Sequence, residues 1–233
     1  MKKRKPKLLD LFCGAGGAGE GYVRAGFDVT GVDLYPQPEN PHRFIQADWC
    51  EYLKEHGGEY DVIHASPVCK GYANLNSWGR VTHKREIPLV REQLLRIGKP
   101  YVIENIHSAK WDMIDPIQVC GSPFGLRVRR HRMFESSLNL ISSGCDHGWQ
   151  DADQIYLRRG RYSKPTPTGV CPNTGGSQLF QPGTLKSMNR ERERELRSEG
   201  MGIDWMSWEP LTQAIPPRFT QFLGRQIIPQ LRL

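Results

Sequence analysis

The sequence predicts an α/β fold with a nucleotide-type ligand site, and three observations support this prediction. Apolar runs that are typical of buried strands alternate with segments of helical spacing. The first run ends in a glycine-rich turn that leads into a helix, within the stretch from Asp10 to Gly26. Asp33 closes the second run roughly twenty residues later, where nucleotide sites place an acid that holds a ribose diol.

The glycine-rich turn has the chemistry of a ligand cradle. Glycines remove Cβ atoms where a bulky molecule approaches the backbone, and the following helix offers unpaired N–H groups and a positive dipole end. The Gly-x-Gly-x-x-Gly string that begins at Gly14 also occurs in ordinary loops, and Asp33 is what favours a ligand site. S-adenosylmethionine suits this turn better than a dinucleotide, because Phe12 and Cys13 stand where a dinucleotide fingerprint begins and no second mononucleotide half follows.

Composition limits the class of protein. The 233 residues, 38% of them hydrophobic, are enough for one substantial core, and a net charge of +7 favours a polyanionic partner. Met1 to Lys7 is a basic arm without an apolar region behind it, and no run has the length of a membrane span. Because the six cysteines form no dense framework, we expect free thiols, no membrane association and a reducing cytoplasm.

The remaining elements follow in order along the chain. Glycines at 57, 58 and 98 end helices, and loop residues dominate from Ser136 to about Arg194. A zinc set of Cys120, Cys145, His147 and Cys171 has no usual short ligand spacing, so the sequence predicts no metal site. We predict strands at 8–9, 29–32, 43–46, 60–65, 101–103 and 127–132, and helices at 51–56, 88–97, 189–199 and 219–227.

Cys69 is the strongest candidate for a reactive group. It lies on a loop stiffened by Pro67, directly after a predicted strand, and therefore at the carboxyl edge of the sheet where α/β folds bind substrates. A buried and inert cysteine is the commoner fate of this residue type. The loop setting and the neighbouring Lys70, which favours a thiolate, point instead to a nucleophile.

Polar residues end the next predicted strand and begin the basic run that follows. Glu104 and Asn105 come directly after Tyr101 to Ile103, so that Glu104 can share a pocket with Cys69 and have its pKa raised by burial, or serve only as a structural partner. In the run from Arg127 to Arg132, strand alternation sends Arg130 and Arg132 to one face. That face is free to line a site, while Arg129 and His131 meet solvent or phosphate.

Five short motifs, in their order along the chain, resemble those of the DNA (cytosine-5) methyltransferase family, in the compact version found in phages and prophages. The resemblance covers 8–134 and 202–233. Its motifs are Asp-x-Phe-x-Gly-x-Gly-Gly at 10–17, Val-Cys-Lys in place of Pro-Cys-Gln at 68–70, Glu-Asn-Ile in place of Glu-Asn-Val at 104–106, Val-Arg-Arg-His-Arg in place of Gln-x-Arg-x-Arg at 128–132, and a partial Gly-Asn-x-Val-Pro at 224–229.

This resemblance implies a Rossmann-like S-adenosylmethionine-dependent methyltransferase fold with a small loop-rich insertion. It implies that the Cys69 thiolate adds to C6 of a flipped-out cytosine while Glu104 protonates N3, with Arg130 and Arg132 holding the base and Glu104. Asp33 is expected at the cofactor's ribose and Asp48 at its adenine amino group. The other implied cofactor contacts are Phe12, Gly14, Ala15, Gly16, Gly17, Leu34, Trp49 and Pro67.

The resemblance also implies double-stranded DNA as partner, a monomer, and nucleic-acid contacts from Lys70, Asn105, Arg129 and His131. The expected organisation is a catalytic core at 1–135, a target-recognition segment at 136–194, and a segment at 195–233 that returns to the core. So small a recognition segment favours a relaxed or very short sequence preference.

Three alternatives stay open at this point. The substrate is RNA in a few members of the family, such as those that act on transfer RNA. The changes at Val68, Lys70 and Val128 are compatible with a methyltransferase-like protein that binds nucleic acid without turnover. They are also compatible with transfer of a different group to C5 of cytosine.

Overall fold

The computed structural model describes residues 4–72, 83–128, 130–148 and 190–231. Strands and helices follow one another through the first 105 residues, with consecutive strands at Asp28–Asp33 and Arg43–Gln46, in the α/β pattern that the sequence predicts. The strands are β1 (Lys7–Leu11), β2 (Asp28–Asp33), β3 (Arg43–Gln46), β4 (Val62–Ala65), β5 (Tyr101–Asn105), β6 (Ile117–Cys120) and β7 (His131–Ser136). The helices are α1 (Gly17–Ala25), α2 (Trp49–His56), α3 (Ile87–Ile97), α4 (Arg190–Met201), α5 (Trp208–Gln213) and α6 (Pro217–Ile227).

The strands form one seven-stranded sheet in the order β3-β2-β1-β4-β5-β7-β6. Neighbours from β3 to β5 are parallel, whereas β7 runs antiparallel to both β5 and β6. The strand order reverses between β1 and β4, and ligands of open α/β sheets bind at the carboxyl ends of strands beside such a switch point. The ends of β1, β4 and β5, which carry the candidate residues, lie at that edge.

Two predicted segments were placed or described wrongly. The strand expected at 127–132 begins only at His131, as β7. The strand β6, which was not predicted, pairs with β7 and places Cys120 opposite His131. The helix expected to be a solvated segment, α4, instead buries Arg197, whose guanidinium carbon lies 4.5 Å from the centroid of the Trp208 ring. Arginine stacked on an aromatic ring keeps a favourable partner when it leaves water, which is why so charged a helix can pack.

The helix α6 packs against α1 at two glycines. A Cβ on Gly21 would overlap Thr220, and a Cβ on Gly224 would lie 2.6 Å from the Cβ of Ala25. The hydroxyl of Thr220 donates to the carbonyl of Ala18 over 2.7 Å. Backbones that approach this closely fix where α1, and with it the glycine-rich turn, lies over the sheet.

The basic arm contacts the protein at the amino edge of the sheet. Arg4 forms a bidentate ion pair with Asp61, with distances of 2.6 and 2.7 Å, so this part of the basic arm is bound to the rest of the protein. All cysteines within the described residues are free thiols. In that same part of the chain, no helix combines the length and apolar character needed to cross a bilayer.

Candidate active site

The turn between β1 and α1 is held in an uncommon backbone conformation. Phe12, Gly14 and Gly16 have φ angles of 59°, 49° and 81°. Positive φ is costly for a bulky residue such as Phe12 and tends to occur at functional sites. In this turn the N–H of Gly14 donates to Oδ2 of Asp33 over 3.0 Å, and this hydrogen bond joins the ends of β1 and β2.

The glycines of this turn serve different purposes. A Cβ on Gly16 would lie 2.6 Å from Oδ1 of Asn40, and a Cβ on Gly17 would lie 2.6 Å from the carbonyl oxygen of Ile215. A Cβ on Gly14 would meet nothing within 4 Å. Only Gly14 therefore faces open space in which a ligand can approach, whereas Gly16 and Gly17 are required by the protein's own packing.

Aromatic and acidic side chains border that open space. The rings of Phe12 and Trp49 lie 5.3 Å apart between centroids and form an apolar wall. Asp48 caps α2, since its Oδ1 accepts from the backbone N–H groups of Cys50 and Glu51 over 2.8 and 3.1 Å. Asp33 accepts from Tyr35 as well as from Gly14. The capping role of Asp48 is structural and leaves its other carboxylate oxygen for a further donor.

Asp10, the first residue of the glycine motif, is buried at the end of β1 with 1% of its surface exposed. Burial, and next the charge of Asp33, raise its pKa to about 8. Burial thus favours the protonated, uncharged form of this carboxyl beside the ligand site.

The other predicted cofactor contacts differ in exposure. Ala15 is buried, and its carbonyl accepts from the indole N–H of Trp205 over 3.0 Å. The side chain of Leu34 is 54% exposed next to Asp33. A cavity of about 410 Å³ lies between Ala15, the loop from Pro36 to Glu39 and the 207–210 segment. Contacts of these residues with a cofactor stay predictions.

Hydrogen bonds join the loop that carries Cys69 to both neighbouring strand ends. The Ser66 hydroxyl donates to the carbonyl of Phe12 over 3.2 Å, and the side-chain amide of Asn105 donates to the carbonyl of Pro67 over 2.9 Å. Asn105 is 1% exposed and its oxygen accepts from the N–H of Ile106. Asn105 therefore positions the loop that carries Cys69, and its contact with nucleic acid stays a prediction.

Glu104 is a buried carboxyl beside an arginine. Nε of Arg132 lies 2.8 Å from Oε1 of Glu104, yet the N–H is not aligned with that oxygen, which receives no hydrogen bond from the described residues. Burial raises the pKa of Glu104, while Arg132 and then Arg130 lower it. The result is a carboxyl that keeps its proton above the usual range and has an oxygen ready for another partner.

Cys69 belongs to the same electrostatic environment. Burial raises the pKa of its thiol, the charge of Glu104 raises it further, and Arg132 and Arg130 lower it. Glu104 and both arginines are thus near enough to Cys69 to affect its pKa, and the predicted pairing of Cys69 with Glu104 in catalysis stays a prediction. Of the two arginines expected to hold Glu104, Arg132 contacts it, whereas Arg130 donates to the carbonyl of Thr212 over 3.1 Å.

The predicted nucleic-acid contacts fall in three different places. Lys70 is exposed beside Cys69. Arg129 lies outside the described residues, as does most of the segment expected to read the target. His131 does not face solvent freely, since its Nε2 lies 3.4 Å from the Sγ of Cys145. Contact of Lys70, Arg129 and His131 with nucleic acid stays a prediction.

Two groups that support the site went unnoticed in the sequence. Asn40 clamps the glycine turn, donating to the carbonyl of Gly14 over 3.1 Å. Glu135 is buried in β7 and binds Arg91 through two contacts of 2.6 Å, which ties α3 to the strand that carries Arg132. A lone asparagine in a proline-rich loop and an arginine in a helix carry no sequence signal for these distant partners.

Comparisons with known proteins support the fold. No family model matches the chain. The Type II methyltransferase M.AgeI of Thalassovita gelatinovora is 31% identical over 83 residues, which cover 29% of this chain and only 19% of that protein. The chain thus spans about a fifth of the length of this curated relative.

Solved structures match over almost the whole chain at low sequence identity. One is a prophage-encoded E. coli protein described as a DNA modification methyltransferase, with a TM-score of 0.56, 13% identity, and coverage of 97% of this chain and 99% of that one. The Dnmt2 methyltransferase of S. pombe has a TM-score of 0.59 at 12% identity, covering 99% and 100%. The Entamoeba histolytica methyltransferase EhMeth has a TM-score of 0.60 at 11% identity, covering 99% and 100%. This chain therefore has the same Rossmann-like fold as these solved methyltransferases, as its sequence predicts.

Proposed function

We propose that the protein is a DNA (cytosine-5) methyltransferase that uses S-adenosylmethionine. The observation that carries the proposal is the placement of Cys69, Glu104 and Arg132 beside an open glycine turn at one edge of the sheet. The fold it shares with a prophage DNA modification methyltransferase supports DNA as the substrate.

The residues of the turn fit the proposed cofactor. Gly14 faces open space, the Phe12 and Trp49 rings offer an apolar wall, and the carboxylate of Asp33 stands at the end of β2 where a ribose diol is held. Bound there, S-adenosylmethionine supplies an electrophilic methyl group.

Cys69 and Glu104 make the cytosine reactive. C5 of cytosine is a weak nucleophile until C6 has been attacked. The thiolate of Cys69 forms a bond to C6 while Glu104 gives its proton to N3, which leaves an enamine whose C5 accepts the methyl group. Loss of the C5 proton to a base then expels the thiolate, and N3 returns its proton to Glu104, which leaves neutral 5-methylcytosine. Since burial keeps the Cys69 thiol protonated at rest, we infer that it loses its proton as the base enters.

The target base must leave the stack to reach this pocket, because Cys69 and Glu104 lie at a sheet edge that a duplex-bound base cannot enter. The net charge of +7 and the exposed Lys70 beside the nucleophile support binding to a phosphate backbone. We further propose that the chain acts as a monomer in the cytoplasm of a bacterium or an infected host.

The substrate is tested by incubating the protein with tritium-labelled S-adenosylmethionine and either duplex DNA or transfer RNA. We expect label in DNA at 5-methylcytosine, and bisulfite sequencing of DNA from expressing cells is expected to show a short or relaxed motif. Label in transfer RNA alone would move the proposal to RNA. Label in neither, with cofactor binding intact, would indicate a protein that binds without turnover.

Asp33→Asn is expected to weaken S-adenosylmethionine binding by about 10- to 100-fold, since it removes a charged acceptor from the ribose hydroxyls. Asp28→Asn is the matched control, because Asp28 begins the same strand at the opposite edge of the sheet. Isothermal titration calorimetry measures both affinities. Equal affinities in the two variants would show that the cofactor does not lie at the end of β2.

A further inference from the structure

We propose that the protein holds a structural zinc ion through Cys120, His131, Cys145 and His147. The ligand atoms of these four residues all lie within 4.8 Å of one another. Two cysteines and two histidines at this separation are the donor set of closed, tetrahedral zinc sites. The sequence spacing had argued against a metal, and the four residues that meet differ from the set considered there: His131 belongs to it, and Cys171 lies outside the described residues.

Two separate parts of the chain supply these ligands. Cys120 ends β6 and His131 begins β7, and the two are paired directly across the antiparallel ladder. Cys145 and His147 follow on a stretch that is bridged to β6 between Val119 and Gly144. The ligands thus come from a strand pair and a returning loop, an arrangement that no local sequence spacing reveals.

The distances fit the edges of a zinc tetrahedron. The Sγ of Cys120 lies 3.3 Å from Nε2 of His147, and the Sγ of Cys145 lies 3.4 Å from Nε2 of His131. Zinc bonds of about 2.3 Å to sulfur and about 2.0 Å to nitrogen give a sulfur to nitrogen edge of about 3.5 Å in a regular tetrahedron. The imidazole rings of His131 and His147 meet edge to face with centroids 5.1 Å apart, so that both present a nitrogen to the same centre.

Neighbouring groups are arranged for thiolate ligands. The N–H of Ser122 lies 3.4 Å from the Sγ of Cys120 and its hydroxyl 3.1 Å. The side-chain amide of Gln118 donates to the Sγ of Cys145 over 3.4 Å. Donors around the sulfurs are what the outer shell of a metal site provides, since they fix the ligands and stabilise their negative charge.

The zinc site would position the candidate active site as well as the β6 and β7 pair. The carbonyl of His131 accepts from the guanidinium of the adjacent Arg132 over 2.9 Å, and that same guanidinium contacts Glu104. This consequence rests on the proposed function. Binding of zinc does not, since it depends only on the four ligands.

The test is the metal content of the full chain, produced without a histidine tag and dialysed against a weak chelator. We expect one zinc per chain by mass spectrometry, and loss of most of it in Cys145→Ser and in His147→Asn. Cys50→Ser, which changes a free cysteine in α2 away from the cluster, is expected to keep its zinc. Circular dichroism and binding of S-adenosylhomocysteine establish that each variant is folded.

Cobalt(II) exchanged into the wild type is expected to give the intense visible absorption of tetrahedral thiolate ligation, and Cys145→Ser is expected to weaken it. Removing the metal is expected to lower the melting temperature by on the order of 5 °C or more, because an ion that binds only the folded state stabilises it. A metal-free wild type, a disulfide between Cys120 and Cys145, or equal zinc in wild type and Cys145→Ser would each overturn the proposal. These readouts do not require methyl transfer, so failure of the zinc site is distinguishable from failure of the proposed function.

Discussion

Replacing Cys69 by alanine is expected to lower the rate of methyl transfer by about 10⁴-fold or more, because the variant lacks the sulfur that forms the bond to C6. Binding of S-adenosylmethionine is expected to change little, since Gly14, Asp33 and the Phe12 and Trp49 wall are untouched. Transfer of tritium to duplex DNA measures the rate, and calorimetry measures the cofactor affinity.

Trapping on DNA that contains 5-fluorocytosine gives a second readout of the same residue. The wild type is expected to form a stable adduct, since fluorine at C5 cannot leave as a proton does, and Cys69→Ala is expected to form none. Cys50→Ala is the control, because Cys50 is a free thiol in α2. The substitution preserves its backbone N–H, which donates a hydrogen bond to Asp48. An adduct that persists in Cys69→Ala would assign the nucleophile to another residue.

Replacing Glu104 by glutamine is expected to lower kcat by about 10²- to 10⁴-fold, the usual contribution of a proton donor, while the side chain keeps its shape. The assignment of Glu104 as the donor is supported by its buried Oε1, which lies beside Arg132 and receives no hydrogen bond from the described residues. Steady-state kinetics with duplex DNA measure the effect. Glu59→Gln, at an exposed glutamate outside the site, is the control and is expected to match the wild type.

The pH dependence has a definite sign. Burial raises the pKa of Glu104 above its ordinary value, so the folded state retains a proton that the unfolded chain has already lost. Activity that needs this proton is expected to be present below the raised pKa and to fall as the pH rises through it. The free energy of unfolding is expected to fall as the pH rises from the ordinary pKa of a glutamate to the raised one. Glu104→Gln is expected to lack both changes, and a wild-type pH profile of the same shape as that of Glu104→Gln would contradict the role as donor.

Local patterns predicted the elements that position the site. The strand expected at 43–46 is β3 itself, and the helix expected at 88–97 begins one residue earlier at Ile87. The strand expected at 101–103 extends to Asn105, which brings Glu104 into the strand end. Such elements are predictable because apolar periodicity and glycine or proline breaks act within a few residues.

The contacts that organise the site were not predictable in this way. Asn40 at the glycine turn, the choice of Arg132 over Arg130 at Glu104, and Arg91 at Glu135 all join segments that are far apart in sequence. The same holds for β6, whose four residues carry too little pattern to be identified without β7. Each depends on where the sheet places its strands.

The sequence by itself determined the α/β fold, the glycine turn with its acid at Asp33, and the candidates Cys69 and Glu104, because each is set by residue type and spacing along one strand and its loop. The tertiary structure alone decided which side chains meet: Arg132 at Glu104, Asn105 at the Cys69 loop, and two cysteines with two histidines between β6, β7 and the returning loop. The physical reason is that such contacts are made across the sheet, at distances that chain spacing does not encode.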